Sequence, residues 1–190
     1  MKLSIFISAL LVSFNVFAAN WDEDFQELKS VPRSYADSGA ICEEIARLDI
    51  KKQFPAPQYH VEVGIAYGDT KRTIGELDIV IFDLNAQRVV RVGEVKCWKS
   101  MSGGLQKARD QRGRFLSTIH SNRPVYFKST STGQQYDQSW FKGINDFITI
   151  GQEGTTNHGY DQEIGYSLNE LHQMTDDMIQ CQKQGECAQP

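Results

Sequence analysis

Three charged residues set in apolar, strand-like stretches carry the chemistry legible in this chain: Asp78 within LDIVIF, and Glu94 and Lys96 within GEVKCW. Side chains alternate between the faces of a strand, so Glu94 and Lys96 share one face while Val95 and Cys97 take the other. Asn85, Ala86 and Gln87 separate the two stretches with a gap suited to a hairpin. Counting back through that turn sets Asp78 near Glu94 or slightly beyond it. Two carboxylates brought this close repel one another unless a cation sits between them. Oxygen donors of this kind suit a hard divalent ion, Mg²⁺ or Mn²⁺. Such an ion polarises a phosphodiester and makes a bound water acidic. Lys96 beside it would orient that water or stabilise charge building on the phosphate. The plain alternative is a surface ion pair between Glu94 and Lys96, worth little, with Asp78 capping a turn.

The elements needed to position this trio are readable from periodicity. Ile41, Ile45 and Leu48 recur at helical spacing, with Asp37 or Ser38 as the expected N-cap. Before them, residues 21–31 are polar and acidic, and Pro32 ends whatever helix they form. Val61, Val63 and Ile65 predict a strand over 59–67. Strands over 74–83 and 89–98 carry the trio. Ser102, Gly103 and Gly104 are expected to break the chain before a helix over 105–120, whose apolar side holds Leu105, Ala108, Phe115, Leu116 and Ile119. A short strand over 124–129 follows, then another over 146–150. A last helix over 168–182 has Leu171, Met174 and Ile179 as its apolar positions. Helix, three strands, helix and strand predict an α/β fold, a mixed central sheet flanked by helices.

Charge is segregated along the chain. From Arg88 to Lys128 ten basic residues face only Glu94 and Asp110, a net of +8. From Asp137 onward nine acids face Lys142 and Lys183, a net of −7. A local basic field holds a polyanion even when the whole chain is acidic, and the acidic tail is a candidate to pair with it in cis. Two sets of solvated faces is the simpler reading.

With these residues in place, GELDIVIFD…VRVGEVKCW resembles the core signature of the PD-(D/E)xK nuclease superfamily, which includes restriction enzymes, Holliday-junction resolvases and RecB-like exonuclease domains. The resemblance covers about residues 34–128 and implies a restriction-endonuclease-like αβββαβ core. It implies Asp78, Glu94 and Lys96 as catalytic residues, with Asp78 and Glu94 as metal ligands. A further metal-site acid is implied on the first helix. Glu44 flanks the buried side there, one turn from both Ile41 and Leu48, and is the expected one; Glu43 is expected to point away. QRGRF resembles the helical Gln-and-aromatic pattern of the RecB-like branch, which adds Gln111 as a catalytic residue and Phe115 as its companion. Leu77 stands where the family name has proline. The expected activity is endonucleolytic hydrolysis of nucleic acid, DNA before RNA, with little sequence specificity. Lys99, Lys107, Arg109, Arg112 and Arg114 are the expected phosphate contacts. Arg112 falls in the middle of the helix's apolar stripe, where it is expected to reach a phosphate or pair with Glu44 or Asp78. A non-catalytic module that retained such a fold is the alternative.

Other chemistries find little purchase. No GxSxG occurs, and His60, His120, His158 and His172 lack metal-ligand spacing. The chain opens with Lys2 followed by an apolar run over 3–18, with Val16 and Ala18 at the positions a signal peptidase reads. A secretory signal over 1–19 is expected, leaving one domain over 20–190 with a C-terminal extension, periplasmic or secreted and off the membrane. Cys42, Cys97, Cys181 and Cys187 fit an oxidising compartment as disulfides, with their pairing open.

Overall fold

The computed structural model describes residues 19–37, 39–121 and 123–190, so the expected signal sequence lies outside the described residues. Two helices, α1 (Trp21–Leu28) and α2 (Ala40–Gln53), precede a three-stranded meander of β1 (Tyr59–Gly68), β2 (Thr73–Asp83) and β3 (Arg88–Val95). Helix α3 (Met101–Ile119) leads to β4 (Tyr126–Ser129) and β5 (Gln135–Tyr136). The chain then adds β6 (Phe147–Gly151), β7 (Gln162–Glu163) and α4 (Leu168–Gln184). The seven strands form one mixed sheet in the order β5-β4-β1-β2-β3-β6-β7, with β6 and β7 parallel to their inner neighbours. The α/β fold class therefore holds.

Both sheet faces are covered. One layer packs Ile41, Ile45 and Leu48 of α2 and Leu171, Met174 and Met178 of α4 against Val61, Val63, Ile79, Ile81 and Val95. The other packs Phe115 of α3 against Tyr67, Val80, Phe82, Val92 and Phe127. Val63 and Ile65 contribute to opposite layers although strand alternation assigns them one face, and Ile79 and Leu77 do the same on β2. Between them lie Gly64, at φ +74°, and Asp78, which stands opposite it in the register. The backbone conformation that glycine alone adopts freely lets the paired strands turn over here. Asp78 sits at that turnover.

Several expectations are corrected. Residues 102–104 do not break the chain but form the first turn of α3, where Ser100 caps the helix by accepting from the Gly103 N–H at 3.3 Å. Helix α2 starts after Gly39, at φ +90°, with no side-chain cap, so Asp37 does not serve as one; Ser38 lies outside the described residues. The strand after α3 pairs with the outer edge of β1, whereas β6, from the acidic tail, lies beside β3. The tail is thus part of the fold. Its acids are used locally, Asp161 by Thr149, Glu163 by Thr156 and Glu170 in the α4 capping box, while Asp146 pairs with Arg91 at 2.9 Å. Met178 is fully buried in α4, and Ile179 only partly.

Disulfides join Cys42 to Cys97 and Cys181 to Cys187. No helix among the described residues is long and apolar enough to cross a membrane. Two disulfides fit an oxidising environment.

Candidate active site

The β2–β3 ladder stops at Ile79↔Gly93. Beyond it the Val95 N–H donates to Asp78 Oδ2 at 2.8 Å, so a side-chain oxygen takes the place of a ladder carbonyl. The same oxygen accepts from Lys96 Nζ at 2.5 Å. Lys96, one residue past the end of β3, also donates Nζ to the Val95 carbonyl at 2.9 Å. Glu94 Oε2 stands 3.6 Å from the ammonium, an ion pair too long for a hydrogen bond. The trio expected from the sequence is therefore assembled, with Asp78, Glu94 and Lys96 at 7%, 3% and 9% exposure.

Glu94 is the anomaly in this cluster. Neither of its carboxylate oxygens has a hydrogen-bond partner, although both are buried. Burial, and then the nearby Asp78 charge, pushes its carboxyl well above the usual range. Burial works the other way on Lys96, but Asp78 and Glu94 outweigh it and hold the ammonium above its ordinary pKa. A buried acid without a donor needs a proton or a cation to offset its desolvation. Asp78 and Glu94 supply hard oxygen donors of the type that hold Mg²⁺ or Mn²⁺. Among the described residues no cluster of three or more Asp, Glu, His or Cys is arranged to hold a metal.

The two acids of α2 have different surroundings. Glu44 is buried, but its Oε2 accepts from Arg47 Nε at 2.6 Å and its Oε1 lies 3.5 Å from Arg33. Glu43 is the α2 acid that feels Asp78 and Lys96; burial first, then Asp78, pushes its carboxyl up to about 7. The other arm of the Arg33 guanidinium holds Glu43. Glu76, two residues before Asp78 and not singled out from the sequence, is raised by burial and by the same Asp78 charge. The period-two step back from Asp78 was its available signal.

Covalent and packing constraints fix Lys96. The Cys42–Cys97 bridge ties the residue before Glu43 to the residue after Lys96, so one crosslink brings α2 and the lysine together. On the other side, a Cβ at Gly104 of α3 would lie 3.3 Å from Lys96 Cβ and 2.4 Å from Tyr160 Oη, so glycine lets the helix seat directly on the lysine. Tyr160 Oη donates to the Met101 carbonyl at 3.0 Å, anchoring that first turn. Neither Gly104 nor Tyr160 had a sequence signal that distinguished it.

The remaining expected residues lie on or before α3. Gln111 has its amide oxygen buried and unpartnered, and no hydrogen bond joins it to Asp78, Glu94 or Lys96. Lys99, Lys107, Arg109, Arg112 and Arg114 are all exposed. Arg112 pairs with neither Glu44 nor Asp78: its backbone is on the apolar stripe, but the long side chain carries the guanidinium out over the Phe147 ring, 4.6 Å from the centroid. Arg109 and Arg112 line a cleft of about 160 Å³ that Glu94 also lines. The arrangement thus presents a buried acid pair, a cation held between them and two arginines beside the opening. No protein-family model, curated protein or solved structure matches this chain.

Proposed function

We propose that this protein is an endonuclease, dependent on Mg²⁺ or Mn²⁺, that hydrolyses phosphodiester bonds in nucleic acid outside the cytoplasm. The observation that carries the reading is Glu94, buried and without a hydrogen-bond donor, beside the Asp78–Lys96 pair. Asp78 and Glu94 would hold the divalent ion, whose chemistry is to polarise the phosphodiester and lower the pKa of water. On α2, Glu43 lies in the field of Asp78 and Lys96, while Glu44 is held by Arg47. Lys96 stays charged between its two carboxylates and is available to stabilise charge on the phosphate. Arg109 and Arg112, with Lys99, Lys107 and Arg114, would hold backbone phosphates, so that affinity falls steeply with salt and base sequence matters little. DNA is preferred over RNA on the strength of the PD-(D/E)xK resemblance. Export rests on the N-terminal signal pattern and is supported by the two disulfides.

One observation favours a second reading. Lys96 Nζ already neutralises Asp78 at 2.5 Å, and no third metal ligand is arranged around the pair among the described residues. That closed ion pair would suit a non-catalytic nucleic-acid-binding module. Incubation of DNA with the oxidised protein in Mg²⁺, in EDTA, and with Lys96→Ala or Asp78→Asn separates the two. Cleavage confined to the native protein with Mg²⁺ supports the nuclease. Well-folded protein that binds DNA and cuts no nucleic acid in Mg²⁺ or Mn²⁺ supports the module.

A further inference from the structure

Of the catalytic trio only Glu94 lines the cleft between α3 and β6. Its volume of about 160 Å³ is close to the ~150 Å³ cavity that accepts a single benzene ring, so it has room for one ring and not for a stacked pair. Leu105, Ala108, Phe147 and Ile148 give it an apolar side, and polar groups line the rest. The Arg112 guanidinium lies over the Phe147 ring, which joins a cationic plane to an aromatic one, the surfaces on which unpaired bases stack.

The charges say what does not enter. Asp161 at the side would repel a phosphate inside the cleft, whereas Arg109 and Arg112 attract one at its edge. Asp161 Oδ2 is held by the Thr149 N–H and hydroxyl, both at 2.8 Å. Its Oδ1 makes no hydrogen bond among the described residues and is an acceptor for the amino or imino edge of a base. A neutral planar ring with N–H donors, attached to a phosphate, satisfies every one of these constraints.

We propose that this cleft receives one unpaired nucleobase of the strand whose backbone lies over Asp78, Glu94 and Lys96, and that the substrate is single-stranded or locally unpaired nucleic acid. By size a pyrimidine fits best. This rests on the nuclease reading for the placement of the backbone. A base within a duplex is stacked and paired, and reaching the cleft would require the strand to open.

The test uses short strands built wholly of abasic sites, compared with the same strands carrying a single thymine. With one base per strand, any binding register can place it in the cleft. Affinity for the oxidised full chain is measured by fluorescence anisotropy in EDTA, so that binding is read without cleavage. A single thymine is expected to tighten binding about 5- to 100-fold, further thymines to add little, and duplex of equal length to bind more weakly than the all-thymine strand. Ala108→Phe, which narrows the cleft, is expected to reduce the single-thymine gain, read as the ratio of single-thymine to all-abasic affinity within the same variant. Equal binding of all-abasic and single-thymine strands, or affinity that climbs evenly with each added base, overturns the proposal whether or not the protein cuts DNA. A single-base gain in a protein that cuts nothing in Mg²⁺ supports the cleft and overturns the nuclease reading instead.

Discussion

Two glutamates are buried in the same sheet and treated in opposite ways. Glu62 on β1 is 8% exposed, and its carboxylate is fully engaged, by His60 Nε2 at 2.7 Å, Ser129 Oγ at 2.6 Å and Ser131 Oγ at 3.3 Å. Burial pushes its carboxyl up, yet these donors win and bring it below the usual range. Glu94 on β3 is 3% exposed and receives no hydrogen bond, so burial wins there. A fold that only needed to bury an acid would surround it with donors, as it does for Glu62. Leaving Glu94 without a donor costs free energy that Lys96, 3.6 Å away and already bonded to Asp78, offsets only in part.

The sharpest way to break this comparison is to remove the charge at Glu94. Glu94→Gln keeps the shape and relieves the buried negative charge. If Asp78 and Glu94 hold a divalent ion, cleavage should fall by up to ~100-fold. In EDTA its melting temperature should rise, each kcal/mol gained counting for roughly 2–4 °C in a chain of this size. Calorimetry with and without Mg²⁺ reads both halves: native protein should be stabilised by the ion and the variant should not. A variant that melts lower in EDTA, or still cuts, would make Glu94 an ordinary structural acid.

The second test separates the two disulfides. Cys42–Cys97 closes a separation of 55 residues and ties the Glu43 end of α2 to Lys96, whereas Cys181–Cys187 closes only 6 at the far end of α4. Chain-entropy arguments assign about 4 kcal/mol to the first and about 2 to the second. Replacing Cys42 and Cys97 by serine should therefore lower stability more and also lower the cleavage rate of protein that remains folded. Replacing Cys181 and Cys187 should lower stability alone. Equal activity in the two folded variants would remove the clamp from the site.

How much of this was legible follows from the range of each interaction. Asp78, Glu94 and Lys96 stood out because each is a charge in an apolar strand, and strand alternation plus a hairpin count is local information. The choice between neighbouring acids on α2 was not local. Helical geometry favours Glu44 because it flanks Ile41 and Leu48, but Arg33 and Arg47 claim that carboxylate, and Arg33 comes from outside the helix. Strand partners were equally hidden: β4 and β6 are both short, and nothing within either segment tells that the first flanks β1 and the second β3. Gly104 looked like a helix breaker because its reason for being glycine, the seat of Lys96, is made by a different element.

The α2 pair yields the third test. Glu43→Gln should slow cleavage by about 10-fold, the lower end for groups that border a metal site, because Glu43 shares its field with Asp78 and Lys96. Glu44→Gln should leave the rate unchanged and cost about 1–2 kcal/mol from its arginine contacts. Rates measured at matched folded fractions distinguish them; the reverse ranking would return Glu44 to the site.

The smallest effect is expected at Glu62, and it completes the comparison. Glu62→Gln keeps an oxygen for Ser129 and loses mainly the charge shared with His60, so about 1 kcal/mol of stability should go and cleavage should stay. Its pH signature has a definite sign. Because the folded carboxyl is depressed below its unfolded value, its contribution is complete above the ordinary glutamate pKa of about 4.3. That contribution disappears as pH falls from there through the folded value. Urea unfolding of native and Glu62→Gln protein should therefore give a constant gap from pH 7 down to about 5 that narrows on further acidification. A gap that widened toward low pH would mean the donors around Glu62 do not hold its charged form, and the distinction between a satisfied and an unsatisfied acid in this sheet would collapse.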